Sequence, residues 1–226
     1  MFYYTALSIA GSDCSGGAGI QADIKTMSAL GVYAASVITY VTVQNTLGVE
    51  SLCPIDSYAI ERQIHAVMND IRPMAIKIGM MGNKDTVEAI VKSLSVYYHG
   101  NLVVDPVLVS TSGSVLLDND AIDIMCRRLL PMATVITPNI HEAEVLANMK
   151  IINKDDMKLA ARRILDYGCN AVLIKGGHIE GNNKCDILVE RKQNGYYEEH
   201  EYNSITVDSK NTHGTGCTLS SAIAAY

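Results

Sequence analysis

Short β-rich apolar runs alternate with stretches of helical period along almost the whole chain, and that alternation restricts its fold more than any other feature. Tyr3–Ala10, Val32–Val43, Ala75–Ile78, Leu102–Val104, Val135–Thr137 and Ala171–Lys175 read as strands. Ile20–Leu30, Ser57–Ile71, Asp85–Tyr98, Asp120–Leu130, His141–Asn148 and Asp155–Tyr167 carry apolar residues three and four apart, the spacing that gives a helix one apolar face. The order predicts an α/β fold whose mainly parallel sheet is covered by helices on both faces. Asp186–Arg191 and Tyr196–Tyr202 flank Gln193-Asn194-Gly195, a hairpin signal that predicts an antiparallel edge. No Pro-, Gly- or Ser-rich linker divides the chain, so residues 1–226 read as a single domain. Small and apolar residues run from Thr218 to Tyr226 without a helix stop, and the natural chain is expected to continue beyond them.

Apolar residues make up 48% and charged residues 19%, a balance that buries a core and argues against disorder. A net charge of -6 leaves no basic surface for nucleic acid, so an anionic ligand must be held locally. The six cysteines form no C-x-x-C pair, and no apolar run of membrane-spanning length interrupts them. Free thiols in the cytoplasm are therefore expected, without a disulfide framework, zinc site or membrane partner.

In open parallel sheets ligands sit beyond the carboxyl ends of the strands. Here those ends carry Gly11-Ser12-Asp13, Gln44-Asn45, Gly79-Met80-Met81-Gly82, Asp105-Pro106, Pro138-Asn139 and Gly176-Gly177. Asn211–Cys217 (NTHGTGC) enters the last helix, where free backbone amides and the helix dipole favour an anion. His213 is placed to line that turn. A thiol at such a helix start, Cys217, can have its pKa lowered and serve as general base or nucleophile; a buried, inert cysteine is the alternative. Asp105 and Glu142 together suit Mg²⁺, although Glu142 equally suits a helix start. Lys175, closing an apolar strand, suits a phosphate charge. Gly17–Ala22 fits Gly-x-Gly-x-x-Ala and opens an NAD-linked dehydrogenase reading, against which a neutral Gln44 stands where an acidic residue is wanted. No G-x-x-x-x-G-K-[ST] occurs, which excludes a P-loop kinase.

The motifs IAGSDCSGGAGIQADIKT, VQNT, KIGMMG, DPV, TPNIHEAE, LIKGGH and NTHGTGCT, in this order, resemble the ribokinase-like kinases, and within them the hydroxymethylpyrimidine/phosphomethylpyrimidine kinases of thiamine biosynthesis. The resemblance implies a three-layer sandwich and phosphorylation of 4-amino-5-hydroxymethyl-2-methylpyrimidine, then of its monophosphate, with ATP and Mg²⁺. It implies that Gln44 reads the pyrimidine, with Gly11, Asp23, Met80 and Val107 around it. It assigns Asn139, Glu142, Lys175 and Thr212 to the nucleotide, and Asp105 with Glu142 to the metal. Gly214, Thr215 and Gly216 become the anion hole and Cys217 the base, where sugar kinases resemble one another in carrying aspartate. A homodimer is also implied. Pyridoxal/pyridoxine kinase of vitamin B6 salvage and a non-catalytic vitamin-binding protein remain the alternatives.

Overall fold

The structure is a computed structural model that describes residues 3–45, 47–97, 100–109, 115–177, 183–192, 195–207, 209 and 212–226. Thr46, His178 and Asn211 of the motifs, with Tyr98 and the turn residues Gln193 and Asn194, lie outside the described residues.

In chain order the elements are β1 Thr5–Asp13, α1 Gly19–Ala29, β2 Tyr33–Asn45, β3 Gly48–Pro54, α2 Ser57–Asp70, β4 Ala75–Ile78, α3 Lys84–Tyr97, β5 Asn101–Val104, α4 Asn119–Ile124, β6 Val135–Ile136, α5 Ile140–Ala147, α6 Lys154–Leu165, β7 Ala171–Ile174, β8 Asn183–Arg191, β9 Tyr197–Ile205 and α7 Thr215–Ala225. The strands form one sheet in the order β3-β2-β1-β4-β5-β6-β7-β8-β9. The pairs from β2 to β7 are parallel, while β3, β8 and β9 join antiparallel. The expected parallel sheet and hairpin edge are present, and β3 adds a second antiparallel edge that the sequence pattern did not indicate.

From β1 the chain crosses to β2 on one side and later to β4 on the other. The switch point of the sheet, where crossovers leave a crevice, therefore lies at the carboxyl end of β1. Gly11, Ser12 and Asp13 do not follow this strand but complete it, through a bulge in which Thr39 and Tyr40 of β2 face the single Gly11. A bulge of this kind turns the strand end and re-aims its last side chains.

Helices cover both faces. Helices α2 to α6 pack into one large core that includes Leu7, Ile9, Ile60, Ile64, Ile76 and Ile164, where each such side chain contributes about 1.5–3 kcal/mol by leaving water. The opposite face is covered by α1 and α7, which pack on each other and on the central strands. The stretch expected as one helix from Asp120 to Leu130 begins as α4, widens to a π-turn over Met125–Leu129 and tightens over Leu130–Met132. Pro131 explains the change, because it supplies no amide to the helical ladder. Among the described residues no helix is long and apolar enough to cross a membrane.

Candidate active site

The last helix starts at Gly214, whose φ of 80° is left-handed and whose position a side chain would drive into the Gly17 carbonyl. Only glycine fits there, so the turn packs directly on the loop between β1 and α1. Thr212 is exposed, and its carbonyl accepts from both the amide and the hydroxyl of Thr215. The amides of Gly216 and Cys217 enter the helix without an intrahelical acceptor and face outward with the positive end of the dipole.

Gly216 lies on an ion pair. A Cβ added there would stand 3.2 Å from Lys175 Nζ and 3.6 Å from Asp105 Oδ2. Lys175 donates to Asp105 Oδ1 at 3.0 Å and Thr137 Oγ1 donates to the same oxygen at 3.1 Å, while Ser220 Oγ lies 3.4 Å from Oδ2 and closer, at 2.9 Å, to the Gly216 carbonyl. Burial would lower the Lys175 pKa, but Asp105 and Glu142 outweigh it and hold the lysine charged above its ordinary value. Glu142 closes a capping box: its Oε2 accepts from the Asn139 amide at 2.8 Å while Asn139 Oδ1 accepts from the Glu142 amide at 2.9 Å. Burial and the neighbouring Asp105 push the Glu142 carboxyl up to about 7.

Asp13 organises the switch point. Its carboxylate accepts from Ser15 N and Oγ, each at 2.8 Å, from Gly17 N at 3.1 Å and from Ala18 N at 2.8 Å. His213 Nε2 lies 2.9 Å from Asp13 Oδ2, joining this loop to the Gly214 turn. Burial opposes the Asp13 charge, yet bonds from Gln44, His213 and Ser15 hold its pKa well below the carboxylate range. The Gln44 side chain thus meets Asp13 at the end of β2. Gly11 lies beside Met80, where a Cβ would meet Sδ at 3.2 Å. Met80 packs with Tyr40, Leu116, Leu52 and Val107 in a small apolar cluster.

Two expectations are corrected. Asp23 does not line this cluster: it has 0% exposure, and its oxygens are taken by Lys77, Ser8 and Ser221. The Cys217 thiol is not lowered by its helix start. It is half-buried, and burial pushes its pKa up, against the pull of Lys77 and a bond from the Gly19 amide and with the push of Asp105 and Asp23. The structure otherwise brings Asp105, Glu142, Asn139, Lys175 and Gly214–Cys217 together, and sets Gly11, Gln44, Met80 and Val107 at the neighbouring strand ends. Sequence reasoning missed Lys77, Ser220 and Ser221, and placed Asp13 at a strand end without giving it a role. Lys77 carried a usable signal, being a lysine inside the apolar run Ala75–Ile78. A groove of about 630 Å³ between Ser95, Arg128, Thr134 and Asn170 opens at the amino end of the sheet, away from all these groups.

An anion-binding helix start, a charged lysine, paired carboxylates and an amide beside an apolar wall are what phosphoryl transfer to a small molecule requires, and the class is that of the small-molecule kinases. A family model described as phosphomethylpyrimidine kinase matches residues 13–226. The chain belongs to that family. It is 42% identical to a hydroxymethylpyrimidine/phosphomethylpyrimidine kinase of Bacillus subtilis over 226 residues, covering all of this chain and 82% of the relative. The crystal structure of a phosphomethylpyrimidine kinase from Clostridium difficile superposes with a TM-score of 0.84 at 45% identity, over 99% of this chain and 90% of that one. A pyridoxal kinase from Staphylococcus aureus, solved with AMP-PCP and pyridoxal, gives a TM-score of 0.88 at 30% identity over 100% of this chain and 80% of that one.

Proposed function

We propose that the chain transfers a phosphoryl group from ATP to the hydroxymethyl group of 4-amino-5-hydroxymethyl-2-methylpyrimidine and then to the resulting monophosphate. The observation that carries this reading is Gly216, which opens α7 directly on the Lys175–Asp105 pair. Phosphoryl transfer passes through a loose transition state with charge spread over the equatorial oxygens, so catalysis is mainly positioning and electrostatics. Within the expected Gly214–Gly216 anion hole the Thr215 amide is turned to the Thr212 carbonyl, so the Gly216 and Cys217 amides and the Lys175 ammonium are the donors for those oxygens, with Asn139 and Thr212 on the nucleotide side.

Asp105 and Glu142 fit a hard cation, because a buried carboxyl raised to about 7 by burial and its neighbour is a group that such a charge relieves. A bound Mg²⁺ would neutralise phosphate charge. Gln44 can donate and accept at once, as an aminopyrimidine edge requires, and Met80 and Val107 offer apolar contact to a ring. Cys217 is the group at the turn able to take the alcohol proton. Burial raises its pKa, so the thiolate that accepts the proton is a minority form of higher basicity. All six cysteines are free, in keeping with a reducing, cytoplasmic setting.

Phosphorus NMR after incubation with ATP, Mg²⁺ and the pyrimidine alcohol tests this reading, with a monophosphate followed by a diphosphate expected. Pyridoxal in a parallel tube tests the second reading, which the likeness to the pyridoxal kinase favours. Thermal stabilisation by the pyrimidine without any phosphorylated product would overturn the proposal.

A further inference from the structure

Helix α7 carries the anion turn but has little apolar surface with which to fix itself. Ser220, Ser221 and Ala224 are its buried residues. The buried apolar cluster on its face of the sheet is Ala6, Met27, Val32, Val103 and Ala224, with Ile223 and Ala225 of the helix only partly buried against it. A stripe of such small residues resists sliding and rolling weakly, since little area is lost by a small shift.

Beneath the helix lies a polar cluster drawn from four elements. Ser221 Oγ on α7 donates to Asp23 Oδ1 on α1 at 2.6 Å, and Ser8 Oγ on β1 donates to Oδ2 at 2.5 Å. Lys77 Nζ on β4 donates to the two oxygens at 3.0 and 2.9 Å. All four residues have 0% exposure. One position back on the helix, Ser220 Oγ reaches Asp105 Oδ2 at 3.4 Å. Gly79 leaves room for the lysine head, because a Cβ there would stand 2.8 Å from Nζ.

A buried ion pair adds little net stability, since desolvation offsets its attraction, but its bonds are directional. Asp23 accepts four hydrogen bonds and has no freedom to follow a displaced helix. We propose that Lys77, Asp23 and Ser221 form a buried polar mount that fixes the depth and rotation of α7, and so holds Gly216 over the Lys175–Asp105 pair. They are positioning residues: with no exposure, none can touch a substrate. The inference rests on reading the turn as the phosphoryl-transfer site.

The test uses Ser221→Ala, which removes one hydroxyl, and the double variant Asp23→Asn/Lys77→Met, which removes the ion pair without leaving a lone buried charge. Melting, steady-state rates with ATP and the pyrimidine alcohol, and alkylation of Cys217 by iodoacetamide, followed by peptide mass from about pH 7 to about pH 10, are measured on both. Ser221→Ala is expected to fold and to lose about tenfold or more in kcat while KM for the alcohol stays within about twofold, as misplacement of catalytic groups does. In the double variant the alkylation midpoint is expected to move to higher pH, because Lys77 acts on the thiol more strongly than Asp23. Wild-type kcat in either folded variant overturns the proposal. So does failure of Ser221→Ala to fold, which would make the cluster a stability element. If the unaltered protein phosphorylates neither the pyrimidine nor pyridoxal, the functional reading fails while the alkylation shift still reports on the mount.

Discussion

At Gly216 a hydrogen stands where any other residue would set a carbon 3.2 Å from the Lys175 ammonium. The nearer neighbour is the end of a long side chain, so Gly216→Ala is expected to fold, and alanine is the better helix former by up to about 1 kcal/mol. The displaced lysine is expected to lower kcat by about 10–100-fold, with the melting temperature unchanged or raised. Initial rates beside a melting curve check this, and an unchanged kcat would mean that Lys175 is not at the reacting phosphate. Cys217 gives a second residue-scale prediction. Its thiol is held above its ordinary value by burial, and only the thiolate accepts a proton. The rate is therefore expected to rise with pH through neutrality and past the ordinary thiol pKa of about 8.5, while Cys217→Ala gives a low, flat profile. A wild-type profile already level at neutral pH would remove Cys217 from the base role.

Two helices open with the same capping box and serve different ends. In α6 Asn153 Oδ1 accepts from the Asp156 amide at 2.9 Å, far from the anion turn, and Asn153→Ala is expected to cost about 1 kcal/mol of stability with no change in rate. In α5 the partner of Asn139 is Glu142, beside Asp105 and Lys175. A carboxyl whose folded pKa is raised binds its proton more tightly in the native state, so its neutral form favours the fold and its charged form opposes it. That cost grows as pH rises from the ordinary carboxyl range toward about 7. Glu142→Gln keeps an acceptor for the cap and removes the charge, and at alkaline pH with a chelator present it is expected to gain about 2–3 kcal/mol in urea unfolding while losing phosphoryl transfer. Equal stability of the two proteins there would contradict the burial of that charge. Elements of this sort were legible in the sequence because apolar period and capping residues are local signals. β3 was not, since Gly48–Pro54 is mostly exposed and lacks an apolar alternation. The surroundings of Asp23 and the direction of the Cys217 pKa were misread for the opposite reason. Their motifs are local, but burial and the distant partners Lys77 and Ser221 decide their chemistry.

Across the whole molecule the two faces of the sheet are unequal. Helices α2 to α6 share one continuous apolar core with the strands, whereas α1 and α7 cover the other face through a cluster of five small or medium buried residues and the polar mount below. Opening a region without unfolding the rest requires few buried apolar contacts across its boundary, and α7 meets that condition better than any strand between β1 and β5. The His213–Asp13 contact spans 200 positions of chain, so the anion turn exists only when the first loop and the last helix are both in place. Hydrogen exchange in native buffer is therefore expected to show α7 amides exchanging by local opening, at denaturant-independent rates, while β4 and β5 amides exchange only on global unfolding. A non-hydrolysable ATP analogue with Mg²⁺ is expected to slow α7 and the loop at Ser15–Ala18 together, because ligand binding selects the closed form. Protection of α7 equal to that of β4 without ligand would show that the mount binds the helix as firmly as the core binds the sheet, and would remove local opening of α7.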